Sequence, residues 1–266
     1  MRITANHAHI FPAERRADGS ISVLLNTMDK CNISECVTFA TFHAFFDNFT
    51  DSTNRYMAKQ IASHRDRLFG FGVVDFERDD VRDQVKEIAD LGFYGIKLHP
   101  AFQHFNVLSA NALHGYEAAQ KLDLFLSFHT GVHWDRIANY HPLLFDEIAY
   151  NYPQLRFSME HIGGYSFFRE ALAVLTNSNR AEMRHVFGGL TSVFDADKPL
   201  WHLREEEIIQ AVRQAGPDSI IFGIDFPYNN ADRTRKDIEA VMALPIKEEE
   251  KEKILGGNLR KVLNIT

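Results

Sequence analysis

The sequence predicts an α/β fold, a (β/α)8 barrel in a single domain over residues 1–266. Three observations predict it. Short apolar runs recur roughly 25–35 residues apart, the span of one strand and its crossover. Segments of helical period on a charged background lie between them. No Pro-, Ser- or Gly-rich linker or low-complexity stretch divides the chain. Strand and helix alternating eight times imply a parallel sheet, and eight units in one uninterrupted domain favour a closed barrel over an open doubly wound sheet.

The candidate strands, in order, are Arg2–His7, Cys36–Ala40, Leu68–Val74, Tyr94–His99, Leu124–His129, Arg156–His161, His185–Leu190 and Ile220–Asp225. Between the third and fourth, Val81, Val85, Ile88 and Leu91 fall on one helical face; before the eighth, Leu203, Ile208, Ile209 and Val212 do the same. Ser20 and Asp51 are candidate N-caps for the helices that follow them. Lys247–Lys253 reads as a solvated, charged helix face, and GGNLRKVL as a final short helix. The first unit has no Gly-rich phosphate-binding fingerprint after its strand, which argues against dinucleotide binding.

Composition sets outer bounds. A chain of 266 residues with 45% hydrophobic and 24% charged residues is ordinary for a globular protein and buries a core without disulfides. A net charge of −7 argues against broad binding to nucleic acid or anionic membranes. Cys31 and Cys36 are too few for a disulfide scaffold and read as free thiols. With no apolar run of membrane-spanning length and no signal peptide before the polar start, the expected location is the cytoplasm.

The chain opens MRITANHAHIFP, with His7 and His9 one residue apart. On a strand, residues i and i+2 share a face, so two imidazoles stand side by side. A lone H-x-H carries little weight. In a barrel of this class, however, the active site lies at the C-terminal ends of the strands, and the other runs supply partners there. Strand four ends GIKLHP with Lys97 and His99; strand five ends in His129; strand six ends RFSMEH with His161; strand eight ends IIFGID with Asp225. By alternation, Ser127 and Phe125 share the inner face with His129, Gly223 and Ile221 with Asp225, Gly95 with Lys97, and Ala5 with His7 and His9. Small residues beneath the polar tips leave room for a metal and a substrate. Imidazoles with one carboxylate suit zinc, with manganese and iron as alternatives. A metal so held lowers the pKa of its water toward about 7. Asp225 either binds that metal or stands beside it and takes the proton of the attacking water; His161 polarises or protonates the substrate.

Taken in order, NHAHIFP, GIKLHP, FHTG, MEHIGG, GIDFP and GNLRKVL resemble the amidohydrolase superfamily, and most closely its amidohydrolase-2 branch, over essentially the whole chain. That branch includes metal-dependent hydrolases and non-oxidative decarboxylases similar to aminocarboxymuconate semialdehyde decarboxylase. The resemblance implies a distorted TIM barrel holding one divalent metal through His7, His9, His129 and Asp225, with His161 catalytic or supporting. Family members often carry an acidic residue two positions before the first histidine, where this chain has Ala5. In binuclear relatives a strand-four lysine is carboxylated and bridges two metals; Lys97 is either that residue or an ordinary ammonium at the rim. Relatives are often dimers, so a homodimer is compatible with the resemblance.

The segments after the strands bear on substrate. TFHAFFDNFT after strand two offers Phe42, Phe45, Phe46 and Phe49, either as an aromatic wall or as loop packing. GVHWDR after strand five offers His133, Trp134 and Arg136; FPYNN after strand eight offers Phe226 and Tyr228. A basic residue beside aromatic walls fits a small organic acid, and Lys97, His99, His133, Arg136, Phe226 and Tyr228 are the expected substrate contacts. Arg15 and Arg16 serve likewise or are solvated; His43, His104, His114 and His141 are read as bystanders, with His104 the first candidate for an exception. The expected function is a hydrolase cleaving an ester, lactone or amide of a small carboxylic acid, with decarboxylation on the same scaffold as the alternative. A metal-free barrel that only binds a ligand is the third reading.

Overall fold

The computed structural model describes residues 1–46, 51–179 and 185–265. Among them, eight parallel strands close into a barrel in sequence order: β1 (Ile3–His9), β2 (Ile33–Phe39), β3 (Leu68–Gly72), β4 (Gly95–Leu98), β5 (Phe125–His129), β6 (Phe157–Glu160), β7 (Val186–Thr191) and β8 (Ile220–Phe226). Each falls on its expected run; β1 reaches two residues further and β2 starts three residues earlier than the apolar pattern suggested.

The helices between them are α1 (Ile21–Lys30), α2 (Thr53–Gln60), α3 (Val81–Asp90), α4 (Ala110–Lys121), α5 (Leu144–Asn151), α6 (Gly164–Ser178) and α7 (Glu205–Ala215). After β8 come α8 (Ala231–Ala243), α9 (Glu248–Glu252) and α10 (Asn258–Val262). Helix α3 buries Val81, Val85 and Ile88 as its period requires, and Leu91 lies one residue past its end. Ser20 occupies the N-cap of α1 without a capping hydrogen bond. The cap of α2 is Ser52 rather than Asp51: the Ser52 hydroxyl accepts from the Arg55 N–H, and Asp51 accepts from the Ser52 N–H one residue outside.

Two apolar layers form. Ile96, Leu98, Phe128 and Ile224 point outward and pack under the helices. Inside the barrel, Val37, Phe39, Phe69, Phe71, Phe125, Phe187 and Ile221 fill the lower half, and Leu259 and Val262 from α10 with Leu263 just after it close its base. Burying a Phe side chain stabilises by about 1.5–3 kcal/mol, so this aromatic plug is a large share of what holds the strands' lower ends. The polar residues are thereby displaced to the other end, where the site forms. Alternation fails in β1. Ala5 sits in the outer layer, whereas Asn6 faces inward. The β1 register shifts between Ala5 and Ala8, and His7 takes a left-handed φ of 73°. A bulge of this kind lets two successive residues face the same side.

Both cysteines are buried and unpaired. No helix among the described residues is long and apolar enough to cross a membrane.

Candidate metal centre

The bulge in β1 delivers His7, and normal alternation beyond it delivers His9, to the mouth of the barrel. Asp225 enters from the end of β8, also in left-handed conformation with φ 51°. One ligand atom each from His7, His9 and Asp225 lies within 4.8 Å of the others. The Nε2 of His7 is 3.5 Å from Asp225 Oδ1. The other Asp225 oxygen accepts from Ser192 Oγ at 2.6 Å.

The remaining strand-end histidines gather around this cluster. His161 follows β6 with φ 65°, and its Nδ1 sits 2.7 Å from the Thr191 carbonyl oxygen. A carbonyl only accepts, so Nδ1 carries the proton and Nε2 is left with its lone pair. The His161 ring centroid is 5.4 Å from that of His7 and 4.7 Å from that of His129. His129 stacks on His99 at 3.8 Å and 10°. Its Nε2 is buried with no hydrogen-bond partner, an arrangement that costs about 1–3 kcal/mol unless a ligand meets it. His129 stands outside the three-residue group, so the structure brings together three of the four expected ligands; the fourth lines the same cavity beside His161 and His99.

The electrostatics suit a cation. Burial drives His7, His9, His99 and His129 well below the usual imidazole value, so they present lone pairs near neutral pH. Burial pushes the Asp225 carboxyl up, but His7, His161 and the Ser192 hydroxyl outweigh it and hold it below its ordinary value. Neutral imidazoles, an ionised carboxyl and an orphaned buried nitrogen fit a divalent ion.

Beneath the cluster lies a polar layer that alternation along the strands does not reveal. Glu160, fully buried, accepts from Asn6 Nδ2 at 2.7 Å and Thr191 Oγ1 at 2.7 Å, and its Oε2 faces His7 Nδ1 at 3.1 Å. With Nδ1 donating to this carboxyl, the Nε2 of His7 is directed at the cluster. The carboxyl that supports His7 therefore comes from β6, not from position 5. Glu160 stands in the strand-six motif RFSMEH next to His161; both face inward because the backbone turns left-handed at His161. The small residues beneath the strand tips do leave room, but this layer fills it. A Cβ on Gly189 would lie 2.2 Å from Glu160 Oε2, and one on Gly223 2.1 Å from Thr191 Oγ1.

Lys97 belongs to the same layer. It is fully buried, its Nζ is 3.3 Å from His7 Nε2, and burial lowers its pKa to about 8 against the pull of Glu160 and Asp225. The expectation of a rim residue meeting substrate is corrected: Lys97 is buried and is not among the residues that line the cavity.

Above the cluster opens a cavity of about 570 Å3. Of the expected contacts, His99, His133 and Tyr228 line it, as do Phe42, Phe45 and Trp134. Phe46 instead packs beside Tyr56, and Phe49 lies outside the described residues. Two expected contacts are elsewhere. Phe226 is 3% exposed in the outer core, since it follows the inward-facing Asp225 and alternation sends it to the helix side. Arg136 is exposed and does not line the cavity. Three lining residues were not anticipated: Phe102, Trp201 and Lys198. Trp201 sits edge-on to His129 at 5.1 Å and tilted over His161 at 5.0 Å. The long segment between β7 and α7 that carries Trp201 and Lys198 has no periodicity to signal its position.

Comparison with known proteins agrees with this architecture. No curated protein matches the chain. A manganese-bound dihydroxybenzoic acid decarboxylase from Polaromonas sp. JS666, crystallised with 2-nitroresorcinol, superposes with a TM-score of 0.73 at 16% identity, over 99% of this chain and 97% of that one. A chain described as a probable 2-pyrone-4,6-dicarboxylic acid hydrolase from Acinetobacter baumannii, with citric acid bound, gives 0.73 at 15% identity over the whole of both. 5-Carboxyvanillate decarboxylase from Sphingomonas paucimobilis gives 0.71 at 15% identity, over 100% of this chain and 99% of that one. At such identities these likenesses speak for the fold. The sequence itself matches the family model described as amidohydrolase from residue 7, the first histidine of the cluster, to residue 265, so the chain belongs to the amidohydrolase family.

Proposed function

We propose that the protein is a metal-dependent hydrolase that cleaves an ester, lactone or amide bond in a small organic acid. The observation that carries this reading is the convergence of His7, His9 and Asp225 within 4.8 Å of one another on the floor of an aromatic-walled cavity. In this reading these three and His129 hold one divalent ion, zinc for a nitrogen-rich donor set, with manganese or iron as alternatives. Bound there, the ion supplies Lewis acidity and brings the pKa of a water toward about 7. Asp225 accepts the proton released by the attacking water. His161, held by Thr191 through Nδ1, takes that proton from Asp225 on its Nε2 lone pair and passes it to the leaving oxygen or nitrogen. His99, His133 and Tyr228 contact the substrate, and Phe42, Phe45 and Trp201 exclude water from it.

Decarboxylation of an aromatic or unsaturated acid on the same residues is the second reading, favoured by the apolar walls. A carboxylate held against Phe42, Phe45 and Phe102 loses hydration, which favours its departure as neutral CO2. The electron pair left on the carbon then takes a proton that Asp225 or His161 Nε2 has first received from solvent.

Both are tested on purified, undepleted protein by elemental analysis and by a substrate panel. Metal-dependent acid release from lactones, esters or amides supports the first reading; CO2 release from hydroxybenzoates transfers the assignment to the second. Protein that carries no stoichiometric transition metal and takes up neither zinc nor manganese overturns both in favour of a ligand-binding barrel.

A further inference from the structure

The floor and walls of the cavity explain how a reacting bond and a planar body are held, but not what fixes the charged end of an acid. Of the cations expected to do so, Lys97 is fully buried and Arg136 exposed, neither lining the cavity, and Arg16, against the Tyr228 ring, is paired with Asp18. The lining histidines are kept neutral by burial. Lys198 is the one Lys or Arg among the described residues that line the cavity.

Its resting contacts are unusual for an ammonium. Nζ donates to Asn229 Oδ1 and, at 3.4 Å, to the Tyr228 carbonyl; no carboxylate pairs with it among the described residues. Asn229 is buried and is itself held in place, its Nδ2 donating to Ser192 Oγ at 3.2 Å and to the Ile224 carbonyl at 3.0 Å. Ser192 Oγ then donates to Asp225 Oδ2. A continuous chain of hydrogen bonds thus fixes the ammonium relative to the metal-centre carboxyl. On the other side, the Trp201 N–H donates to the Lys198 carbonyl at 2.9 Å, so one turn carries both the cation and the ring that overlies His129 and His161.

We infer that Lys198 is the anchor for a second charged group on the substrate: a carboxylate, remote from the reacting bond, on a planar acid whose ring lies against Trp201. The inference rests on the proposed hydrolase reading for the position of the reacting bond. A carboxylate entering an aromatic-walled cavity loses hydration and needs a charged donor. Lys198 offers one with a hydrogen free for it, because an ammonium has three donors and two are engaged. The substrates selected are therefore lactones, esters or amides bearing a pendant carboxylate, rather than neutral ones.

The chain has two tryptophans, and both line the cavity, so quenching of intrinsic fluorescence reports binding there without turnover. The probes are benzene-1,3-dicarboxylate and 3-carbamoylbenzoate, which differ by one charge at nearly constant shape. Wild-type protein is expected to bind the dicarboxylate about tenfold more tightly, the worth of one charge-assisted hydrogen bond. Lys198→Gln and Lys198→Met should reduce that preference to less than about twofold, with Lys198→Arg retaining it. A preference that survives both neutral variants, or no preference in the wild type, overturns the anchor. Metal content measured on the same samples separates the two claims. A preference that follows Lys198 in protein unable to bind zinc or manganese keeps the anchor and removes the hydrolase reading. Stoichiometric metal with a preference indifferent to Lys198 removes the anchor alone.

Discussion

The Oε2 of Glu160 lies 3.1 Å from the Nδ1 of His7, although 153 residues separate them in the chain. This contact sets which His7 nitrogen faces the metal centre, and it is anchored in turn by Asn6 and Thr191. Glu160→Gln keeps the volume but gives up the charge-assisted bond. Metal affinity is expected to fall about 10–100-fold, the usual cost of losing a supporting partner of a ligating histidine. Competition with a chromophoric chelator measures it, and unchanged circular dichroism shows that the barrel persists.

Stripping the metal should abolish activity without unfolding the chain, because the aromatic plug and the outer core do not depend on the centre. Apparent stability should fall by about 3–4 kcal/mol relative to protein held at 100–1,000 times the metal's Kd. Chelator dialysis followed by calorimetry, then readdition of zinc or manganese with recovery of both Tm and turnover, tests this. Loss of the circular dichroism signal on chelation would contradict it.

Phe125 and Arg136 make a contrasting pair. Phe125 is fully buried in the barrel interior against Phe71 and Phe187, at ring-centroid distances of 6.0 and 5.8 Å. Phe125→Ala should cost about 3–5 kcal/mol in denaturant unfolding. Arg136→Ala, at an exposed position outside the cavity, should change stability by no more than about 0.5 kcal/mol and leave KM unaltered. A large rise in KM on that substitution would restore Arg136 as a substrate contact.

Asp237 gives the fold a pH dependence of its own, away from the metal centre. On α8, it pairs with Arg233, yet burial outweighs that pairing and raises its pKa from 3.8 to about 6. Between about pH 4 and pH 6 the folded chain therefore binds this proton more tightly than the unfolded one. Its contribution to stability is greatest below about pH 4 and is lost as the pH rises through 6. The Tm of Asp237→Asn minus that of the wild type should become more positive from pH 4.5 to pH 8. A difference that is flat, or that falls over that window, refutes the assignment.

The eight strands, the closed barrel and the strand-end positions of His7, His9, His129, His161 and Asp225 were legible in the sequence. Each depends on short-range pattern: an apolar run, its terminating turn, and the last polar residue before it. What pattern could not supply was the contact map across the barrel. Strict alternation opposes Glu160 to His161 and so hides it, and it joins Ala5 to His7 and so puts Ala5 inside. A left-handed residue in each segment breaks that rule, and such conformations are stabilised by tertiary contacts rather than by local preference. The same holds for Lys198 and Trp201, whose segment is aperiodic, and for Arg136 and Phe226, which sit beside the right residues in sequence but point elsewhere. The sequence by itself determined that strand tips would bear imidazoles and a carboxyl at one end of a barrel. Only the tertiary structure decided which side chains meet, because closure of the sheet joins residues whose separation along the chain leaves no periodic trace.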